Sequence, residues 1–120
     1  MNQGCSPYKS TDLDETPELA FSGPVRITAI HAINLGESPR YLKFYNAAAV
    51  DSVTVGTTVS AWTCAVPSAG NTNGGGFTLA IPGGLYFSLG VVIAATTAAG
   101  DDDTGAPEIN EIVVNLALDG

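Results

Sequence analysis

Residues Ser52–Gly100, SVTVGTTVSAWTCAVPSAGNTNGGGFTLAIPGGLYFSLGVVIAATTAAG, run for forty-nine positions without one Asp, Glu, Lys or Arg. An ordinary soluble domain would place about twelve charges in a window of that length. The vocabulary is Val, Thr, Ala, Ile and Phe punctuated by Gly and Pro, which is that of β-strands joined by tight turns. Within it, Leu85, Phe87, Leu89, Val91 and Ile93 alternate on one face after the turn Pro82-Gly83-Gly84, and this is the best core-strand candidate in the chain. Gly90 inside that run predicts a bulge or a close backbone approach. A monomer would expose uncharged strand edges here, so the surface is expected to be covered by other copies or by a larger assembly.

Working outward, strand-like runs are predicted at 58–66 and 76–81, joined by Pro67 to Gly75 as a hairpin-type connection. No Lys follows that glycine-rich loop and no helix opens after it, so a phosphate-binding reading fails. On the N-terminal side, Val25, Ile27, Ala29, His31, Ile33 and Leu35 alternate with Arg26, Thr28, Ile30, Ala32 and Asn34. The first set is taken as the apolar face, which makes His31 a partly buried, hydrogen-bonded histidine rather than a base or metal ligand. Residues 34–39 are a turn. In Arg40–Asn46, Leu42 and Phe44 face one way and Tyr41, Lys43 and Tyr45 the other. Two outward tyrosines can serve as a stacking platform, or pack around the Lys43 stem. On the C-terminal side, Asp101, Asp102 and Asp103 sit in a loop without the alternating spacing of an EF-hand, which favours a solvated acidic loop over a calcium site. The last strand, Glu111–Leu118, turns Ile112, Val114, Leu116 and Leu118 inward.

At 120 residues the chain is read as one domain, all-β, an antiparallel sandwich of six to eight strands. Residues 1–22 keep no apolar period and are expected as an extended N-terminal arm, with the sandwich over 23–120. Twelve acidic against four basic residues give a net charge of −8, which disfavours phosphate backbones, so no direct nucleic-acid contact is expected. The apolar run 85–99 is too short to span a bilayer as a helix, so no membrane partner is expected either. Met1-Asn2-Gln3-Gly4 has neither the basic nor the apolar region of a secretory signal, and synthesis in a cytosol follows. Cys5 and Cys64 stand in unlike contexts; Cys64 reads as a buried small hydrophobe, and a disulfide between them is not expected.

One His, two unlike cysteines and acids mostly in loops offer no triad, no ligand pair and no tuned carboxylate pair. No enzyme and no cofactor are expected. The candidate functional residues are therefore interface residues: Tyr41, Tyr45, Val59, Ala61, Trp62, Leu79, Tyr86 and Val92.

Arg40-Tyr41-Leu42-Lys43-Phe44-Tyr45, Gly83-Gly84-Leu85-Tyr86-Phe87, Ala95-Thr96-Thr97 through Asp101-Asp102-Asp103-Thr104, and Val113-Val114-Asn115 together resemble a family of small virion structural proteins of tailed bacteriophages. The resemblance spans about Val25 to Leu118. It implies a β-sandwich or jelly-roll-like domain serving as a capsid decoration (cement) protein or in head fibres and tail appendages. The expectation that follows is a homo-oligomer, a trimer by analogy, on the capsid exterior, bridging subunits of the major capsid protein; the alternative is a receptor- or glycan-binding appendage module. The resemblance carries no catalytic residue.

Overall fold

The computed structural model describes residues 5–71 and 73–120. Eight strands account for the fold: β1 (Ser6–Ser10), β2 (Glu18–Ser22), β3 (Val25–Asn34), β4 (Arg40–Asn46), β5 (Trp62–Val66), β6 (Gly75–Phe87), β7 (Gly90–Thr96) and β8 (Ile112–Asp119). One 3-10 turn, Val50–Ser52, is the only helical element among the described residues. The first sheet runs β1-β8-β3-β6 and the second β2-β7-β4-β5, and every pairing is antiparallel. Strands β1 with β8, β2 with β7, β3 with β6 and β4 with β5 are hydrogen-bonded neighbours, as if one long four-pair hairpin had been rolled into two sheets. That is jelly-roll topology, an antiparallel β-sandwich as the alternation predicts.

The core lies between the sheets. Val25, Ile27, Ile30 and Ala32 of β3, Leu42 and Phe44 of β4, Val91, Ile93 and Ala95 of β7, and the four inward residues of β8 are all at most 2% exposed. Full burial of each such aliphatic side chain contributes about 1.5–3 kcal/mol. Strand β8 keeps the predicted alternation without a break, with Ile112, Val114, Leu116 and Leu118 inward.

Strand β3 does not keep it. The register shifts between Ile27 and Ala29 against both β6 and β8. A bulge inserts one residue and reverses the parity, so Ile30, Ala32 and Asn34 point inward where Ala29, His31 and Ile33 were expected. His31 is accordingly exposed, on the outer face, with its Nδ1 2.7 Å from Thr78 Oγ1. Buried Asn34 instead pins the β3–β4 turn: its amide donates to the carbonyls of Ser38 and Val66, and its Oδ1 accepts from Gly36 N.

Pro82-Gly83-Gly84 is likewise not a turn between strands. It lies inside β6, where Ala80 pairs with Ala29 and Leu85 with Ile27, so residues 81–84 bulge out opposite Thr28. An edge strand tolerates the missing proline N–H. Gly83 and Gly84 hold φ of +80° and +78°, the left-handed region that a side chain at Gly84 would enter only against the Arg26 stem. The chain turns only later, at Ser88-Leu89, where it crosses from β6 in the first sheet to β7 in the second, which leaves Leu89 exposed and Phe87, Val91 and Ile93 in the core. Gly90 meets its expected close approach: a Cβ there would stand 2.5 Å from the Phe21 carbonyl oxygen.

The N-terminal segment is integrated rather than free. Strand β1 pairs along its whole length with β8, and β2 with β7. Leu13, between them, is fully buried, and the link is tied down by Leu13 N to Ile112 O and Ala95 N to Asp14 O. Tyr8 and Ser10 of β1 both donate to the Glu18 carboxylate of β2, closing the corner between the sheets. The expected arm thus ends, within the described residues, as two edge strands. Its apolar residues lack a period because they divide between two sheets and the link that joins them. Residues 1–4 lie outside the described residues.

Candidate functional site

The outer faces of the two sheets differ, and the difference decides which surface is available. On the second sheet, Lys43 and Tyr45 of β4 and Val92 and Ala94 of β7 point away from the core, yet all four are at most 1% exposed. The β4–β5 loop, residues 47–61, and the β7–β8 loop, from 97 to 105, roof them over. Tyr45, Ala47, Val53, Val92 and Ala94 form a second, smaller apolar cluster under that roof. Lys43 Nζ donates to the Gly100 carbonyl, its stem filling the space beside the cluster.

The acidic triplet organises the roof. Asp101 Oδ1 accepts from Ser60 N at 3.1 Å and Ser60 Oγ at 3.0 Å, stitching one loop to the other. These hydrogen bonds, with the nearby Lys43 charge, hold the Asp101 carboxyl below its ordinary range. Asp103 Oδ2 accepts from Ala98 N, Gly105 N and Thr97 Oγ1. Partial burial pushes its carboxyl up, but those hydrogen bonds and Lys43 lower it further, and the net direction is down. Asp102 alone of the three is exposed. Two of the three carboxylates are thus loop fasteners rather than solvated charges. Among the described residues, no group of three His, Cys, Asp or Glu side chains is placed to hold a metal ion.

Among the described residues, nothing roofs the first sheet. Its pairings set Ala80, Ala29, Ala117 and Pro7 side by side across β6, β3, β8 and β1, and Thr78, His31, Asn115 and Lys9 as the next row. Gly76, Ile33 and Val113 form a third. The result is an outer face with one row of small side chains flanked by polar and aliphatic ones, and with a shallow depression over Ala29, His31, Thr78, Asn115 and Ala117. At its margin the Arg26 guanidinium lies 4.9 Å from the centre of the Tyr86 ring. The edge strand β6 carries no charge in thirteen residues, and neither does β5, the corresponding edge of the second sheet. The opposite edges, β1 and β2, carry Lys9 and Glu18.

The eight interface candidates separate by this geometry. Val59 (73% exposed), Ala61, Leu79 and Tyr86 are on the surface. Tyr41 and Trp62 are half-buried, with the Trp62 ring against Phe44 at 5.4 Å. Tyr45 and Val92 are interior, a correction to both: outward alternation was read properly, but the two loops that cover that face were not foreseen. Sequence reasoning also missed the Arg40–Glu111 ion pair, whose Nε–Oε1 distance is 2.6 Å with Glu111 only 5% exposed. Seventy-one positions separate the partners, and nothing local signals the contact.

Cysteines Cys5 and Cys64 are both free, the first exposed and bonded to Thr28 Oγ1, the second half-buried against the core. Burial pushes the Cys64 thiol up to about 11, so at neutral pH it stays protonated and unreactive.

No family model and no curated protein matches the chain. Among solved structures it is similar to a chain from one described as "Bacillus endospore appendages form a novel family of disulfide-linked pili", with 16% identity over 98% of this chain and 90% of that one and a TM-score of 0.32. A likeness that distant assigns no function.

Proposed function

We propose that this protein is a non-enzymatic structural subunit that works by binding other protein surfaces, and specifically a capsid decoration (cement) protein of a tailed bacteriophage. In this reading it acts as a homo-oligomer, a trimer by analogy with decoration proteins, and bridges neighbouring subunits of the major capsid protein on the outside of the virion. The observation that supports it is the asymmetry of the sandwich. One outer face is sealed by the protein's own loops, while the other is left uncovered by any described segment, beside an uncharged thirteen-residue edge strand. Monomeric proteins guard such edges with charge, and interface cores are depleted of it. Binding here is contact without chemistry. Many copies, each covering about 1,600 Å² in all, would add their contacts through avidity into a large gain in shell stability.

A receptor- or glycan-binding appendage would need aromatic rings lining a groove. Of Tyr41, Tyr45, Trp62 and Tyr86, only Tyr86 is exposed, and Arg26 already lies over it. The cement reading is tested by the mass of the purified protein in solution and by its copy number in particles. The expected results are an oligomer that Ala80→Glu with Thr78→Lys, both on the outer face, converts to a folded monomer, and a copy number near that of the major capsid protein. A wild-type monomer present at a few copies per particle would overturn it.

A further inference from the structure

We propose that Asn73, in the loop between β5 and β6, is a site of spontaneous deamidation, through which the chain converts with age into a more acidic form. Asn73-Gly74 is the single Asn-Gly step in the sequence. Asn73 is exposed, and its side-chain amide makes no hydrogen bond with any described residue. Gly74 stands just before β6, and its N–H is likewise uncommitted among the described residues. A Cβ built at Gly74 would meet only Leu35 Cδ2, at 3.4 Å, and its φ of +101° lies in the region that glycine enters without strain. The two reacting groups are therefore both in the open, and no side chain hinders the nitrogen.

The chemistry needs only water. The Gly74 nitrogen, having lost its proton to solvent base, attacks Asn73 Cγ. The new N–Cγ bond closes a five-membered succinimide, the Cγ–Nδ2 bond breaks, and Nδ2 leaves as ammonia with a proton from water. Water then opens the ring at either carbonyl. Opening at Cγ gives aspartate on the ordinary backbone; opening at the main-chain carbonyl gives isoaspartate, with the chain running through the former side chain. Either product takes the formal net charge from −8 to −9, one negative charge more. That charge falls within the charge-free stretch Ser52–Gly100, two positions before the uncharged edge strand β6.

None of the other described asparagines combines these features. Asn34 is buried and its amide donates to the carbonyls of Ser38 and Val66. Asn46 donates to Ser88 Oγ and accepts from Leu89 N, and Asn71 accepts from Asn73 N. Asn110 and Asn115 precede Glu111 and Leu116, whose side chains crowd the attacking nitrogen. The reaction needs no partner and does not depend on where the protein acts.

The test incubates the full chain in mildly alkaline buffer beside a synthetic peptide of residues 69–79, following both by peptide-mapping mass spectrometry and the intact chain by anion exchange. The fragment holding Asn73 should gain the mass difference between NH2 and OH, a later-eluting charge form should grow in step, and isoaspartyl methyltransferase should label that fragment. Because no bonded contact has to open first, the folded chain should convert within about tenfold of the peptide's rate. Asn73→Gln, whose longer side chain would have to close a six-membered ring, should lose the charge form. The proposal is overturned if the folded chain converts more than about tenfold slower than the peptide, if the modified residue is another asparagine, or if Asn73→Gln accumulates the same charge form.

Discussion

Replacing Leu13 by alanine asks whether the N-terminal segment is part of the fold or an appendage to it. Leu13 is fully buried in the main core, between β1 and β2, and its amide is bonded to the Ile112 carbonyl at 3.1 Å. Truncation removes three buried carbons and leaves a hole in a site whose backbone is fixed on both sides by strand pairing, so collapse around it is limited. Buried Leu→Ala changes cost about 2–5 kcal/mol, and a site with little room to relax belongs in the middle of that range, at about 3 kcal/mol. For a domain of this size each kcal/mol moves the melting temperature by about 4 °C, so a drop of about 12 °C is expected by calorimetry or circular dichroism. Deleting residues 1–22 should go further and prevent folding, because β8 and β7 would each lose a hydrogen-bonded neighbour. A Leu13→Ala protein that melts within about 2 °C of wild type would refute the reasoning and restore the free arm.

Two further outcomes follow from the ion pair and the roof. Arg40→Met leaves the buried Glu111 carboxylate without its counter-ion and should destabilise by about 2–3 kcal/mol, whereas Arg40→Met with Glu111→Met should recover most of the loss in urea titration. Asp103 has a folded carboxyl below its ordinary value of 3.8, so its contribution is present above that pH and is lost as pH falls through the lower folded value. Asp103→Ala should therefore lower the melting temperature at pH 7, and the gap to wild type should close as the pH falls below about 4; a gap that stays constant down to pH 2 would show that the carboxylate's charge is not what holds the loop.

Much of the architecture was legible in the chain because a strand's period of two is a local property. The Gly/Pro-punctuated alternation set the all-β class, and β8, which contributes no extra residue to the register shift it shares with β3, turned the predicted residues inward one for one. The same rule placed Leu42 and Phe44 opposite Lys43 and Tyr45 in β4. It failed wherever a non-local event changed the parity or the cover. A bulge at Thr28 moved His31 from the core side to the surface, and a longer bulge at Ile81–Gly84 placed an expected turn in the middle of an edge strand. Both depend on how neighbouring strands match in length, which no single strand records.

Burial of the second sheet's outer face was decided still further from local sequence. Tyr45 and Val92 read as outward, and they are; what hides them is a loop of fifteen residues folding back and joining Asp101 through Ser60, forty-one positions away. The N-terminal segment shows the same division. Composition showed that Tyr8, Leu13 and Leu19 have no period with which to bury one another. Only the rolled topology, which brings β8 and β7 alongside, supplies the partners that give their ordering entropy something to be offset by.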